Sequence, residues 1–154
     1  MRNTQQLNLA KELAKEVAKD LLQYAHALLT KGMDKPLAVL AGGETTVTMQ
    51  GKGLGGRNQE MALAFAIAAE KKPLAADWVF LSAGTDGRDG PTEAAGAIVD
   101  SFSFNRMVQS SIDPTTCLTN NDSNTALGRS NDLFIIGATG TNVADLQILI
   151  LQPF

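Results

Sequence analysis

The chain has 154 residues, enough for one domain that buries roughly two-thirds of its unfolded surface without disulfide or metal staples. Hydrophobic residues make up 44% and charged residues 19%, and a formal net charge of -3 without a Lys/Arg cluster argues against a nucleic-acid surface. The single cysteine, Cys117, excludes an internal disulfide and a cysteine-based zinc site. The first twenty residues lack the apolar segment of a signal peptide, and no apolar run reaches the length of a membrane span. No membrane partner is expected. The expected location is the cytoplasm, with the mitochondrion as the alternative.

Leu9, Leu13, Val17, Leu21 and Leu28 recur at helical steps and predict a long helix over Leu7 to Lys31, closed by Gly32. With no strand expected before it, such a helix would pack in part on something outside the chain. Pro36 to Ala41 (PLAVLA) reads as a buried strand, and Glu44 to Gln50 (ETTVTMQ) as a second strand rich in Thr and Val. Gly51 to Gly56 is a flexible loop. A helix starts at Arg57, with Met61, Ala64, Phe65 and Ala68 on one face, and ends at Pro73. Asp77 to Ala83 is the next strand, and Ser101 to Ser111 the next helix. Asn120 to Asn124 is a polar turn or a helix start. Leu133 to Gly137 and Leu146 to Leu151 are strands, separated by a polar turn over Gly140 to Asp145. Strands alternating with helices predict a layered α/β/α sandwich. Short spacings pair PLAVLA with TVTM, and LFIIG with LQILIL, as antiparallel neighbours in a mixed sheet.

Four polar clusters sit at strand ends or glycine turns: GGETT (42–46), GGRNQE (55–60), GTDGRDGPT (84–92) and TGTN (139–142). Two readings of GKGLGGRNQE stand side by side. Its glycines and the helix N-terminus can present N–H groups to an anion, with Arg57 as a fork for phosphate or carboxylate; or it is a glycine hinge with an exposed arginine. It carries neither the Walker A ending nor a dinucleotide fingerprint. Asp86 and Asp89 are three residues apart, a pattern that suits magnesium beside a phosphate and equally a pair of tight turns. Glu44, Asn121, Asp122, Thr141 and Asn142 each offer a ligand contact or a turn. With His26 the only histidine, a Ser-His-Asp triad is poorly supported.

Together, GGETTVTMQGKGLGGRNQE, FLSAGTDGRDGPTEAAGA, NNDSNTAL and TGTNVADLQILIL resemble the C-terminal, or MOFRL, domain of the class II glycerate kinases. The resemblance runs in order from about Pro36 to the C-terminus. It implies ATP-dependent phosphorylation of D-glycerate to 2-phosphoglycerate, with a divalent cation, Mg2+, in a cleft between two α/β domains. It further implies that residues 1–35 are a helix leading from a missing N-terminal kinase domain, that 36–154 form the MOFRL-like domain, and that the chain alone lacks activity. Arg57 would be the catalytic residue. Gly43, Glu44, Asn58, Glu60, Thr85, Asn121, Asp122, Thr141 and Asn142 would bind substrate and phosphate, and Asp86 and Asp89 the metal. The competing reading is a free-standing, non-catalytic module that binds an anionic metabolite or a protein. A homodimer is left open.

Overall fold

The computed structural model describes residues 4–8 and 13–154. Its elements, in chain order, are β1 (Thr4–Asn8), α1 (Ala14–Thr30), β2 (Leu37–Gly43), α2 (Arg57–Lys71), β3 (Ala76–Gly84), β4 (Gly96–Asp100), α3 (Ser103–Gln109), α4 (Pro114–Thr119), α5 (Ser123–Arg129), β5 (Leu133–Phe134) and β6 (Asp145–Pro153).

Among the described residues the strands form one six-stranded sheet in the order β1-β2-β6-β3-β4-β5. β1 runs parallel to β2, and every other pair is antiparallel, so the sheet is mixed as expected. The chain's last strand lies in the middle: β6 fills the slot between β2 and β3 and pairs with both. β3 and β6, nine residues each, pair along their whole length, and β6 alternates strictly between buried and more exposed positions. Trp78, Phe80 and Ser82 of β3 and Gln147, Leu149 and Leu151 of β6 point to one buried face.

That face carries the core. α2 lies across it and is buried nearly all round, from Asn58 to Ile67, because it is packed between the sheet and helices α1, α3, α4 and α5. Four alanines between Ala62 and Ala69 sit at full burial or close to it and let neighbouring elements approach. Phe65 stacks on Phe80 at a centroid distance of 4.5 Å and meets Trp78 edge-on at 5.1 Å. α1 buries Ala14, Val17, Ala18, Leu21 and Ala25, one stripe at helical spacing, into the same core. Among the described residues no helix is long and apolar enough to cross a membrane.

The opposite face is different. The mixed α/β class holds, but the described helices form one layer rather than the two of an α/β/α sandwich, and the main cluster of buried hydrophobic residues lies on its side of the sheet. The register builds three rows across the other side: Ala38, Ile150 and Val79, ending at Asp100; Leu40, Ile148, Leu81 and Ile98; Gly42, Leu146, Ala83 and Gly96. Val79, Ile98, Leu146 and Ile150 are exposed there.

Four sequence expectations are corrected. The first helix begins at Ala14, and Leu7 lies in a strand; Leu9 falls outside the described residues. The segment 44–50 is not a strand but keeps a single bridge, Thr46 to Leu13, because side chains rather than a ladder satisfy its backbone. The expected strand at 133–137 shrinks to Leu133–Phe134, which pairs with β4, while β6 takes β2 and β3 as partners. Neither expected antiparallel pair forms.

Candidate functional site

The β2–α2 connection runs from the end of β2 to the N-terminus of α2. Around it lies a cavity of about 680 Å³ lined by Glu44, Thr45, Val47, Met49, Gly55, Gly56, Arg57, Glu60, Gly90, Pro91 and Asn121, among others. Three of the four polar clusters therefore converge. The third contributes Gly90 and Pro91 rather than its aspartates.

Arg57 is the first residue of α2, and its side chain is about one-third exposed at the cavity. Its Nε donates to Asp145 Oδ2 at 2.6 Å and its Nη2 to Asp145 Oδ1 at 2.9 Å. Asp145 opens β6, on the same inward parity as Gln147 and Leu149, and faces Gly43 of β2 and Gly84 of β3 across the ladder. Two side-chain-free neighbours leave its carboxylate the space beneath α2. The Asp145 side chain is fully buried, whereas Glu44, 3.3 Å from Arg57 Nη2, is largely exposed. The hydrogen bonds to Asp145, offset in part by burial, hold the Arg57 guanidinium above its ordinary pKa, so the fork stays charged.

The N-terminus of α2 does not offer free N–H groups to an anion, as the glycine loop suggested. Asp89 occupies it. Its carboxylate accepts from Asn58 N at 3.1 Å, Gln59 N at 2.9 Å, Gln59 Nε2 at 3.0 Å and Asn58 Nδ2 at 3.3 Å. Burial pushes the Asp89 carboxyl above its usual range, and the donated N–H groups pull it back. Asn58 is buried as well and accepts from Ser82 Oγ at 2.7 Å, which places it under the site rather than in it.

Glu60 and Asn121 form the floor. Glu60 accepts from Asn121 Nδ2 at 2.8 Å and lies 3.4 Å from Lys15 Nζ. Asn121, in the left-handed region at φ 55, also accepts from Gln50 N and Gly51 N. It fastens the loop that the sequence suggested was a strand. Asp122 accepts from Leu54 N and holds the same loop from below.

The remaining predicted residues lie elsewhere. Asp86 accepts from Arg88 N in a tight turn and lines a second cavity, of about 540 Å³, with Arg88, Glu93 and Ile135. Asp86 and Asp89 thus have different surroundings: one closes a turn and the other caps a helix. Among the described residues no cluster of three or more His, Cys, Asp or Glu is placed to hold a metal ion. Thr85 Oγ1 donates to Ala144 O and accepts from Val143 N, which ties the 84–92 loop to the 139–144 turn. Asn142 accepts from Ala144 N, and Thr141 is exposed beside Thr139. Asp145, the buried partner of Arg57, was not expected. Its signal is an acidic residue on the core-facing parity of a strand, which requires a partner.

Residues 37–145 match the model of the MOFRL family. The chain belongs to the MOFRL family. Among its relatives, the glycerate kinase of Mus musculus is 47% identical over 147 residues, covering 92% of this chain and 28% of the relative. The D-glycerate 2-kinase of Thermotoga maritima is 52% identical over 117 residues, 75% of this chain and 27% of the relative. A crystal structure of glycerate kinase from Thermotoga maritima superposes with a TM-score of 0.88 at 42% identity, covering 97% of this chain and 36% of that one. This MOFRL chain therefore spans well under half the length of the relatives it matches.

Proposed function

We propose that this MOFRL chain is the C-terminal part of a glycerate kinase that transfers the terminal phosphoryl group of ATP to D-glycerate, giving 2-phosphoglycerate. The observation that carries this reading is the Arg57 fork, fixed at the mouth of a cavity built by three glycine-rich clusters. Phosphoryl transfer is mostly positioning and charge neutralisation, and a pre-aimed guanidinium serves both. Arg57 neutralises charge on the transferring group or holds the glycerate carboxylate. Asn121 and Glu60 keep the floor rigid, and Gly55, Gly56 and Gly90, which carry no side chain, let Ser123, Asp89 and the Gly55 carbonyl pack directly behind the cavity wall.

The acids around Arg57 outnumber the cations: Glu44, Glu60 and Asp145 face Arg57 and Lys15. A polyanionic substrate would enter more easily with a divalent cation. Magnesium, carried on the nucleotide phosphates, would neutralise them, with Glu44 as the exposed carboxylate nearest the fork. The domain that precedes this one in the family would supply the remaining contacts, and the chain by itself would not turn over.

The test joins this chain to the N-terminal portion of the Thermotoga relative and follows ADP release with ATP, Mg2+ and D-glycerate, with the product identified by phosphorus NMR. Activity giving 2-phosphoglycerate is expected. Arg57→Lys, which keeps the charge and loses the fork, should lower kcat by about a hundredfold. Unchanged kcat would remove Arg57 from the chemistry.

A further inference from the structure

We infer that Asp145 is the positioning residue of this site: it fixes the Arg57 guanidinium so that the Nη1 edge meets an incoming anion, while Glu44 is an exchangeable counter-ion that the anion displaces. The inference rests on the anion-binding reading of the cavity and adds how the fork is held and released.

The two carboxylates on Arg57 are not equivalent. Asp145 is fully buried, belongs to a strand paired on both sides, and binds through two short hydrogen bonds. Glu44 follows the end of β2, is 65% exposed and makes one looser contact at 3.3 Å. A bidentate pair on a rigid strand persists, whereas an exposed single contact is readily exchanged with solvent ions. Nε and Nη2 are engaged by Asp145, and Nη1 donates to no group among the described residues.

Arg106 provides the internal contrast. It too meets two carboxylates, Asp100 and Asp132. Its Nε donates to Ser130 O, its Nη1 to Asp100, and its Nη2 to Ser103 Oγ and Asp132. Every nitrogen of Arg106 is engaged by the protein, as a structural clamp requires. Arg57 keeps one nitrogen back and lines the cavity.

Positioning and simple electrostatics predict opposite outcomes for one substitution. Asp145→Asn removes a negative charge beside the site, and charge alone would then tighten anion binding. Loss of the lock would weaken it. The test titrates the 154-residue chain with D-glycerate, inorganic phosphate and tripolyphosphate by calorimetry, and follows the Arg57 Nε proton by NMR. Asp145→Asn should weaken anion binding tenfold or more and speed exchange of the Arg57 Nε proton. Glu44→Gln should tighten binding a few-fold and leave that proton protected. Tighter or unchanged binding in Asp145→Asn overturns the proposal. If Asp145→Asn fails to fold, Asp145→Glu keeps the charge and displaces the fork, and the same weakening is expected of it. If the wild-type chain binds none of the three anions, the anion-site reading fails on this chain, and the Nε proton decides the lock alone: rapid exchange in the wild type overturns it.

Discussion

Asp145 and Arg57 share two parallel hydrogen bonds, yet only the arginine reaches water. This asymmetry predicts unequal costs of truncation. Arg57→Ala strands a fully buried carboxylate, and removal of one partner from a buried pair costs about 3–5 kcal/mol. Asp145→Ala leaves an arginine that can turn to solvent, at a cost of about 1 kcal/mol. Urea unfolding should therefore find Arg57→Ala the less stable variant, and the double variant Arg57→Ala/Asp145→Ala more stable than Arg57→Ala alone. Equal losses in the two single variants would contradict the burial assigned to Asp145.

Asp89 holds the first turn of α2 from a loop about thirty residues away in sequence. Asp89→Ala would leave the N–H groups of Asn58 and Gln59 and the Gln59 amide buried without that acceptor. The expected loss is about 2–4 kcal/mol, and the Asn58 and Gln59 amides should exchange faster by hydrogen-exchange NMR. Protection unchanged in the variant would mean that the cap is dispensable.

Two glycines share a left-handed backbone but not their surroundings. Gly90, at φ +61, lies against the Gly55 carbonyl, whereas Gly32, at φ +81, has nothing within 4 Å of an added Cβ. Gly32→Ala should cost about 1 kcal/mol, from conformation alone. Gly90→Ala adds a backbone clash inside the cavity wall and should cost about 3 kcal/mol. The shift in urea midpoint reports both, and equal shifts would place the clash elsewhere.

Asp113 caps α4 by accepting from Thr115 N and Thr116 Oγ1, and the Thr116 hydroxyl is foremost in holding its pKa below the ordinary carboxylate value. A lowered folded pKa gives stability that is present above the unfolded value, near 3.8, and lost as pH falls through the folded one. The melting temperature of the wild type should exceed that of Asp113→Ala at pH 7, and the gap should narrow on acidification below pH of about 4. A gap independent of pH would show that the charge of Asp113 contributes nothing.

Much of this architecture was legible because side-chain period dictates it. β3, α2 and most of β6 follow from WVFLSA, MALAFAIAAE and LQILIL. What was not legible depends on partners distant in sequence. ETTVTMQ has the residues of a strand, but Asn121 takes the N–H groups of Gln50 and Gly51 and reaches Thr48 O, and the segment becomes cavity wall. LFIIG has the apolar run of a strand, but the central slot beside β2 and β3 belongs to β6, and Ile135 and Ile136 stay exposed. At the site, Arg57, Glu44 and Glu60 were visible as polar residues in glycine-led clusters, and Asn121 as part of the polar run NNDSN. Asp89 was visible as an acid but not as a cap, since its role is set by the turn that aims it. Asp145 was hidden by its place at the junction of a polar turn and an apolar strand.

The uncovered side of the sheet has a calorimetric consequence. Unfolding raises heat capacity mainly by exposing apolar surface, about 12–15 cal/mol/K per residue in ordinary domains. In this chain Val79, Ile98, Leu146 and Ile150 already touch water before unfolding begins. The exposed part of each, 38–48% of its surface, is hydrated on both sides of the transition and adds nothing to the increment. The isolated chain should therefore show a heat-capacity increment below that expected for its length, and a flatter curve of stability against temperature.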